Sequence, residues 1–172
     1  MKSAYLVRKL FDGRNKDYRE NVAILVEDGI IEGIVGRNEI PNEYMIEDLG
    51  DLFVTPGLFD CHVHLVWSGG SDVNAVMLSE SNEKTSLRAA ENARLALMHG
   101  ITTVRDVGGD YKAVLAVRDA IQENVIRGCR VIASGNPIIM TGGHCHTIGL
   151  EVDGPHEARK GVRLMMKGGV DC

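Results

Sequence analysis

The chain has 172 residues, 44% of them hydrophobic and 25% charged, a composition ordinary for a soluble globular protein with a fair core of one domain or slightly more. Its formal net charge of -5 gives no electrostatic reason to expect nucleic acid or an anionic membrane as partner. No apolar run approaches the roughly 20 residues that span a bilayer, and the N-terminus Met1–Lys9 lacks the long apolar core of a signal peptide.

From residue 1 to 55 the pattern is strand, turn, strand. Ala4 to Phe11 is apolar and β-capable up to Asp12-Gly13. Asn21 to Val26 and Ile30 to Val35 flank Asp28-Gly29, a two-residue signal for a type I′ hairpin. Met45 to Leu49 and Leu52 to Thr55 flank Gly50-Asp51, read as another tight turn. The expectation is a small antiparallel sheet without a helix, with too little apolar surface to stand alone.

From residue 56 to 172 strands and helices alternate. Val54 to His64 reads as a strand entered through Pro56-Gly57 and leaving into Leu65-Val66-Trp67-Ser68-Gly69-Gly70. Ser81 or Asn82 caps a helix from Glu83 to His99, with Leu87, Ala90, Ala93 and Leu97 on one face and Gly100 as its stop. Ile101 to Val107 is a strand ending in Gly108-Gly109. Asp110 caps a second helix, whose Val114, Val117 and Ile121 share a stripe and which ends near Gly128. Arg130 to Ser134 is a third strand. Asp153-Gly154-Pro155 opens a third helix with Ala158, Val162 and Met165 or Met166 inward, the methionine pair being read as core. Val170-Asp171-Cys172 looks like the start of a fourth strand. Repeated βα units with short links imply a parallel sheet with helices on its faces, either doubly wound or part of a (β/α)8 barrel.

Within this grammar the stretch from Asp60 to His64 carries the chemistry. Side chains on a strand alternate with a period of two, so Asp60, His62 and His64 point one way and Cys61, Val63 and Leu65 the other. The two imidazoles then sit about 7 Å apart along the strand. Neutral imidazole is the commonest biological metal ligand, and two on one edge can converge on one ion. A second pair, His144 and His146, lies in Thr141-Gly142-Gly143-His144-Cys145-His146. Both pairs fall at strand C-terminal ends, where active sites of barrels and of open α/β sheets lie.

Pro56-Gly57-Leu58-Phe59-Asp60-Cys61-His62-Val63-His64, preceded by an antiparallel segment, resembles the first-strand signature of the amidohydrolase superfamily. Gly100-Ile101-Thr102-Thr103-Val104-Arg105-Asp106-Val107-Gly108-Gly109 and the second His-x-His segment resemble its prolidase branch, metal-dependent Xaa-Pro and related dipeptidases. The resemblance implies a (β/α)8 TIM-like barrel, here its first three βα units and the start of the fourth strand, with N-terminal strands of a small β-sandwich. Residues 1–55 would belong to the sandwich and 56–172 to the barrel. It also implies one or two divalent metals, usually zinc, with His62 and His64 as ligands and a carboxylated lysine expected just beyond Cys172. Lys167, at a helix end, is a poor substitute for that lysine. The family's later strands supply further histidines and a catalytic aspartate.

The reaction so implied is amide hydrolysis of Xaa-Pro or related dipeptides by metal-activated hydroxide. A cyclic amide or an aminated ring is the alternative substrate within the superfamily, and an inactive scaffold fragment is the alternative outside enzymology. His144 is the residue expected to hydrogen-bond the substrate carbonyl or the tetrahedral oxyanion, with His146 taking or supporting that role. Asp60 either orients a ligand or satisfies backbone groups, and Arg105 and Asp106 read as a structural ion pair. Trp67 lines the pocket or covers the rim. Alternation aims Cys145 away from its neighbours, and His99 and His156 stand apart. Cys61, Cys129, Cys145 and Cys172 form no Cys-x-x-Cys pair, so reduced thiols in a cytoplasmic protein are expected. The expected partners are a small-molecule or dipeptide substrate and the remainder of the same polypeptide or barrel, with no nucleic acid, no membrane, and a homo-oligomer left open.

Overall fold

Asp28 and Gly29 take φ values of 49° and 83°, the two positive angles a type I′ turn requires, and close the first hairpin of the computed structural model, which describes residues 1–172. The chain divides into two compact units, Met1–Pro56 and Gly57–Cys172.

In the first unit β1 (Lys2–Leu10), β2 (Arg19–Glu27) and β3 (Ile30–Gly36) form an antiparallel meander, followed by a single 3-10 turn at Arg37–Glu39. Val7, Leu10 and Val22 are its buried centre, with Ile24, Ile34, Leu49 and Val54 packed on them. The remaining strands do not form the second hairpin that the sequence suggested. β4 (Met45–Asp48) and β5 (Phe53–Val54) both run parallel to β1, opposite Ser3–Leu6 and Lys9–Leu10 respectively. They are two halves of one interrupted strand. Gly50 takes φ 63° and its amide donates to the Asp48 carboxylate at 2.8 Å, so the residues between make a local detour rather than a reversal. The sheet is therefore mixed.

The second unit is built on three parallel strands in the order β6 (Leu58–Val63), β7 (Ile101–Asp106) and β8 (Arg130–Ala133). Between β6 and β7 lie α1 (Val73–Ser79) and α2 (Asn82–Met98), and between β7 and β8 lies α3 (Tyr111–Gln122). β9 (Ile138–Ile139), β10 (Leu150–Glu151) and α4 (Pro155–Gly168) complete it, β9 and β10 pairing in parallel. Successive strands are neighbours and the order does not reverse, as in the opening units of a (β/α)8 barrel. The final residues continue that winding. The Asp171 amide donates to the Ala133 carbonyl at 2.8 Å, and the Asp171 carboxylate accepts from the Ala133 amide at 2.8 Å and pairs with Arg118 at 3.0 Å.

Val104 and Val131 from the sheet, Leu65 and Val66 beyond β6, Ala89 and Ala93 from α2, and Val114 and Val117 from α3 make the core. Asp110 accepts from the amides of Lys112 and Ala113 to cap α3, and Ser81 accepts from Lys84 to cap α2. Part of the expected face of α2 is inside: Ala93 is buried and Ala90 packs against the core, but Leu87 is 72% exposed, and Thr85 and Ala89 are buried in its place. α1, whose Asp72 cap accepts from the Ala75 amide at 2.9 Å, is too short for the periodicity to mark.

On α4 the methionine pair splits. Met165 is 9% exposed and its sulfur accepts the Asn136 amide at 3.3 Å, whereas Met166 is 68% exposed. The expected outcome is that Met165→Ala destabilises the unit by about 2–4 kcal/mol and Met166→Ala by less than about 0.5, checked by urea melts of each variant.

Candidate metal centre and adjoining cleft

The first His-x-His sits in a bulge. Pairing steps from Asp60 opposite Val104 to Val63 opposite Asp106, so three steps of β6 match two of β7. One extra residue at Cys61-His62 breaks strict alternation, as bulges beside functional sites commonly do. The bulge is held by side chains. Arg105 Nε donates to the Cys61 carbonyl at 3.0 Å, and the His62 amide donates to the Asp60 carboxylate at 3.1 Å. Asp60 thus serves the backbone. Arg105 and Asp106 do not form the ion pair their adjacency suggested, because Arg105 is turned to β6 and Asp106 is buried.

The imidazoles of His62 and His64 lie with ring centroids 5.5 Å apart and planes inclined at 78°. His62 is exposed and His64 half-buried. His64 Nδ1 is 2.8 Å from the Gly108 carbonyl oxygen, which can only accept, so Nδ1 carries the proton and Nε2 keeps its lone pair. The indole of Trp67 stacks on the same imidazole at 3.9 Å and 28°. Asn92, a polar residue on the inner side of α2, donates to the carbonyls of Leu65 and Trp67 at 2.7 and 2.9 Å and pins the chain that leaves the strand.

Asp106 is the least expected member of this region. It is 2% exposed, and its carboxylate accepts from the amides of Leu65 at 2.7 Å and Gly108 at 3.1 Å. Burial pushes its carboxyl above the usual carboxylate range, opposed by those two N–H groups and by the His64 imidazole.

The second His-x-His is not on a strand. Residues 141–148 form consecutive turns, with Gly142 and Cys145 both at φ 67° and the His146 amide donating to the Gly143 carbonyl at 3.2 Å. Alternation therefore does not govern Cys145. It lines a cleft of about 240 Å³ together with His144, His146, Trp67, Val73 and Thr147. Thr147 Oγ1 is 3.2 Å from Asn74 Oδ1, joining this loop to α1. The loop's base is tied down by Thr141, which donates to the Asp153 carboxylate at 2.5 Å and holds its pKa below the ordinary range. His99 donates Nδ1 to the Leu95 carbonyl at 2.8 Å at the end of α2, and His156 is exposed at the start of α4.

Trp67 is thus common to both motifs, stacking on His64 and lining the cleft beside His144 and His146. No three His, Cys, Asp or Glu side chains are grouped as a cation site requires, and His62 and His64 by themselves are two donors of the imidazole type that divalent cations take. Nothing in the sequence's periodicity marked Asp106, Gly108 or Asn92 as supports. The available signal was a carboxylate two residues before a Gly-Gly pair at a strand end.

Residues 53–171 match the model of the Amidohydrolase family. The chain belongs to the amidohydrolase family. Among curated relatives of this family it is 32% identical to an imidazolonepropionase from Paraburkholderia phymatum, over 52% of this chain and 29% of that protein. A 50-residue stretch is 50% identical to an imidazolonepropionase from Klebsiella pneumoniae subsp. pneumoniae, covering 29% of this chain and 12% of that one. Among solved structures, a Xaa-Pro dipeptidase with methionine bound in its active site is similar over 99% of this chain and 46% of its own, with TM-score 0.87 and 29% identity. An amidohydrolase structure covers 98% of this chain and 45% of its own, with TM-score 0.83 and 28% identity. The chain therefore spans less than half the length of these relatives, and the two units correspond to the N-terminal part of an amidohydrolase barrel protein. No helix is long and apolar enough to cross a membrane.

Proposed function

We propose that the polypeptide carrying this chain is a metal-dependent hydrolase that cleaves the amide bond of Xaa-Pro or related dipeptides, with zinc as the expected cation and a cytoplasmic setting. The single observation that carries the reading is the His62–His64 pair, with His64 Nδ1 bound to the Gly108 carbonyl and its ring stacked on Trp67, which also lines the cleft of His144 and His146. When bound, a divalent cation supplies the Lewis acidity that makes water a nucleophile at neutral pH.

The chain's own residues then have distinct tasks. His62 and His64 hold the cation. His144 donates a hydrogen bond to the substrate carbonyl and to the oxyanion it becomes, with His146 as the alternative donor or its support. Trp67 forms the wall between the two pairs. The remaining ligands and the proton carrier are expected from the rest of the polypeptide, with a carboxylated lysine just after Cys172. The 29% identity to a Xaa-Pro dipeptidase along 99% of the chain supports the dipeptide substrate.

A second reading, ring opening of a cyclic amide, is favoured by the 32% identity to an imidazolonepropionase. Steady-state assays of the full-length polypeptide separate the two. Release of free proline from Xaa-Pro dipeptides is the expected result; ring opening of cyclic amides with no dipeptide turned over would replace the first reading by the second.

A further inference from the structure

The backbone on either side of the His64 imidazole is held by one side chain from a neighbouring strand. Asp106, at the end of β7, holds the Leu65 amide with one carboxylate oxygen at 2.7 Å and the Gly108 amide with the other at 3.1 Å. Leu65 follows His64 directly, and Gly108 supplies the carbonyl that His64 Nδ1 meets at 2.8 Å. One buried carboxylate thus holds both the backbone that carries the imidazole and, through its N–H, the residue whose carbonyl orients it.

Gly108 can take this position only as glycine. Its φ is 149°, and a Cβ there would lie 2.7 Å from the ring carbons of Pro137. The opposite constraint on the imidazole comes from Trp67, stacked at 3.9 Å, whose amide donates back to the His64 carbonyl at 3.1 Å. A side chain so over-determined has one tautomer and one direction.

We infer that Asp106 is a positioning residue for His64, acting through the Gly108 carbonyl to keep Nδ1 protonated and Nε2 free for a divalent cation. The inference rests on the reading of His64 as a ligand. A carboxylate suits the task because both of its oxygens accept. An asparagine offers one accepting oxygen and turns its NH2 on the other amide, so either Leu65 or Gly108 is released. A ligand's hydrogen-bond partner of this kind affects cation affinity without touching the cation.

The test uses the metal-free chain labelled with 15N-histidine, with His64 assigned by the resonance lost in His64→Gln. Long-range proton–nitrogen spectra at a pH where imidazoles are neutral are expected to show the Nδ1–H form of His64 in the wild type. In Asp106→Asn the Nε2–H form should appear alongside it, and zinc affinity, read by competition with a chelating dye, should weaken about 10- to 100-fold. Val104→Ala, a core change in the same strand, should lower stability and leave both readouts unmoved. An Nε2–H His64 in the wild type overturns the proposal, as does an Asp106→Asn variant with unaltered tautomer and affinity. If Asp106→Asn does not fold, Asp106→Glu displaces both acceptor oxygens by one methylene and the same mixture is expected; an unchanged spectrum again overturns it. Zinc binding indifferent to both His62→Gln and His64→Gln removes the metal-site reading itself. Binding that needs both imidazoles, with Asp106→Asn silent, removes only the positioning role.

Discussion

Gly109→Ala is expected to destabilise the second unit by about 2–5 kcal/mol, the sum of a strained backbone and an overfilled core. The residue sits at φ 146°, a conformation that side-chain-bearing residues rarely adopt. A Cβ built there falls 2.4 Å from Val66 Cγ2, and Val66 is 2% exposed in the core with a branched, stiff side chain that has nowhere to turn. Gly100→Ala is the control, because Gly100 has a φ of 84° but open space around its absent Cβ, so only the backbone cost of about 1–2 kcal/mol applies. Denaturant melts of the two variants separate the terms. A double-mutant cycle with Val66→Ala sharpens the result: removing the valine methyl groups should recover part of the loss, giving a coupling of about 1 kcal/mol or more in the rescuing direction. Equal losses for Gly100→Ala and Gly109→Ala, with no coupling to Val66, would show that close approach at the strand end is not what the glycine provides.

That pair of glycines illustrates what could be read in advance. The βα order, the Asp110 cap and the Asp28-Gly29 hairpin were legible because each is a local rule: a short side chain before a helix, or two residues able to take positive φ. The parallel placement of β4 and β5 was not legible, because Gly50-Asp51 looks like a reversal in sequence and only the pairing with β1 shows that the strand resumes its direction. The inner face of α2 was legible at Ala90 and Ala93 but not at Leu87, which is 72% exposed. At the site, His62, His64, His144 and His146 stood out by type and spacing. The bulge at Cys61-His62, the turns around Cys145 and the Asp106–Gly108 support depend on contacts between β6, β7 and the loops. A single carboxylate read beside Arg105 suggested an ion pair, whereas burial turned it to backbone amides.

Replacing His62 or His64 by glutamine in the full-length polypeptide should each lower kcat/KM for the amide substrate by about 10³-fold or more, which is about 4 kcal/mol or more of transition-state stabilisation. The two variants should differ in stability. His62 is exposed, so His62→Gln is expected to leave the melting transition within about 0.5 kcal/mol of the wild type. His64→Gln gives up the bond to the Gly108 carbonyl and the stack on Trp67, together about 1–3 kcal/mol. The decisive measurement is the double variant. If both imidazoles hold one cation, the first substitution already abolishes the site and the second removes nothing further, so the double loss stays near the single one. If they act separately, the losses multiply towards about 10⁶-fold, a product that grossly additive free energies would give. Activity measured after chelation and after zinc restoration closes the argument. On the proposed reading, wild type should lose and regain its rate, while either single variant should respond to neither treatment; a single variant that still loses and regains activity would show that its histidine does not hold the cation.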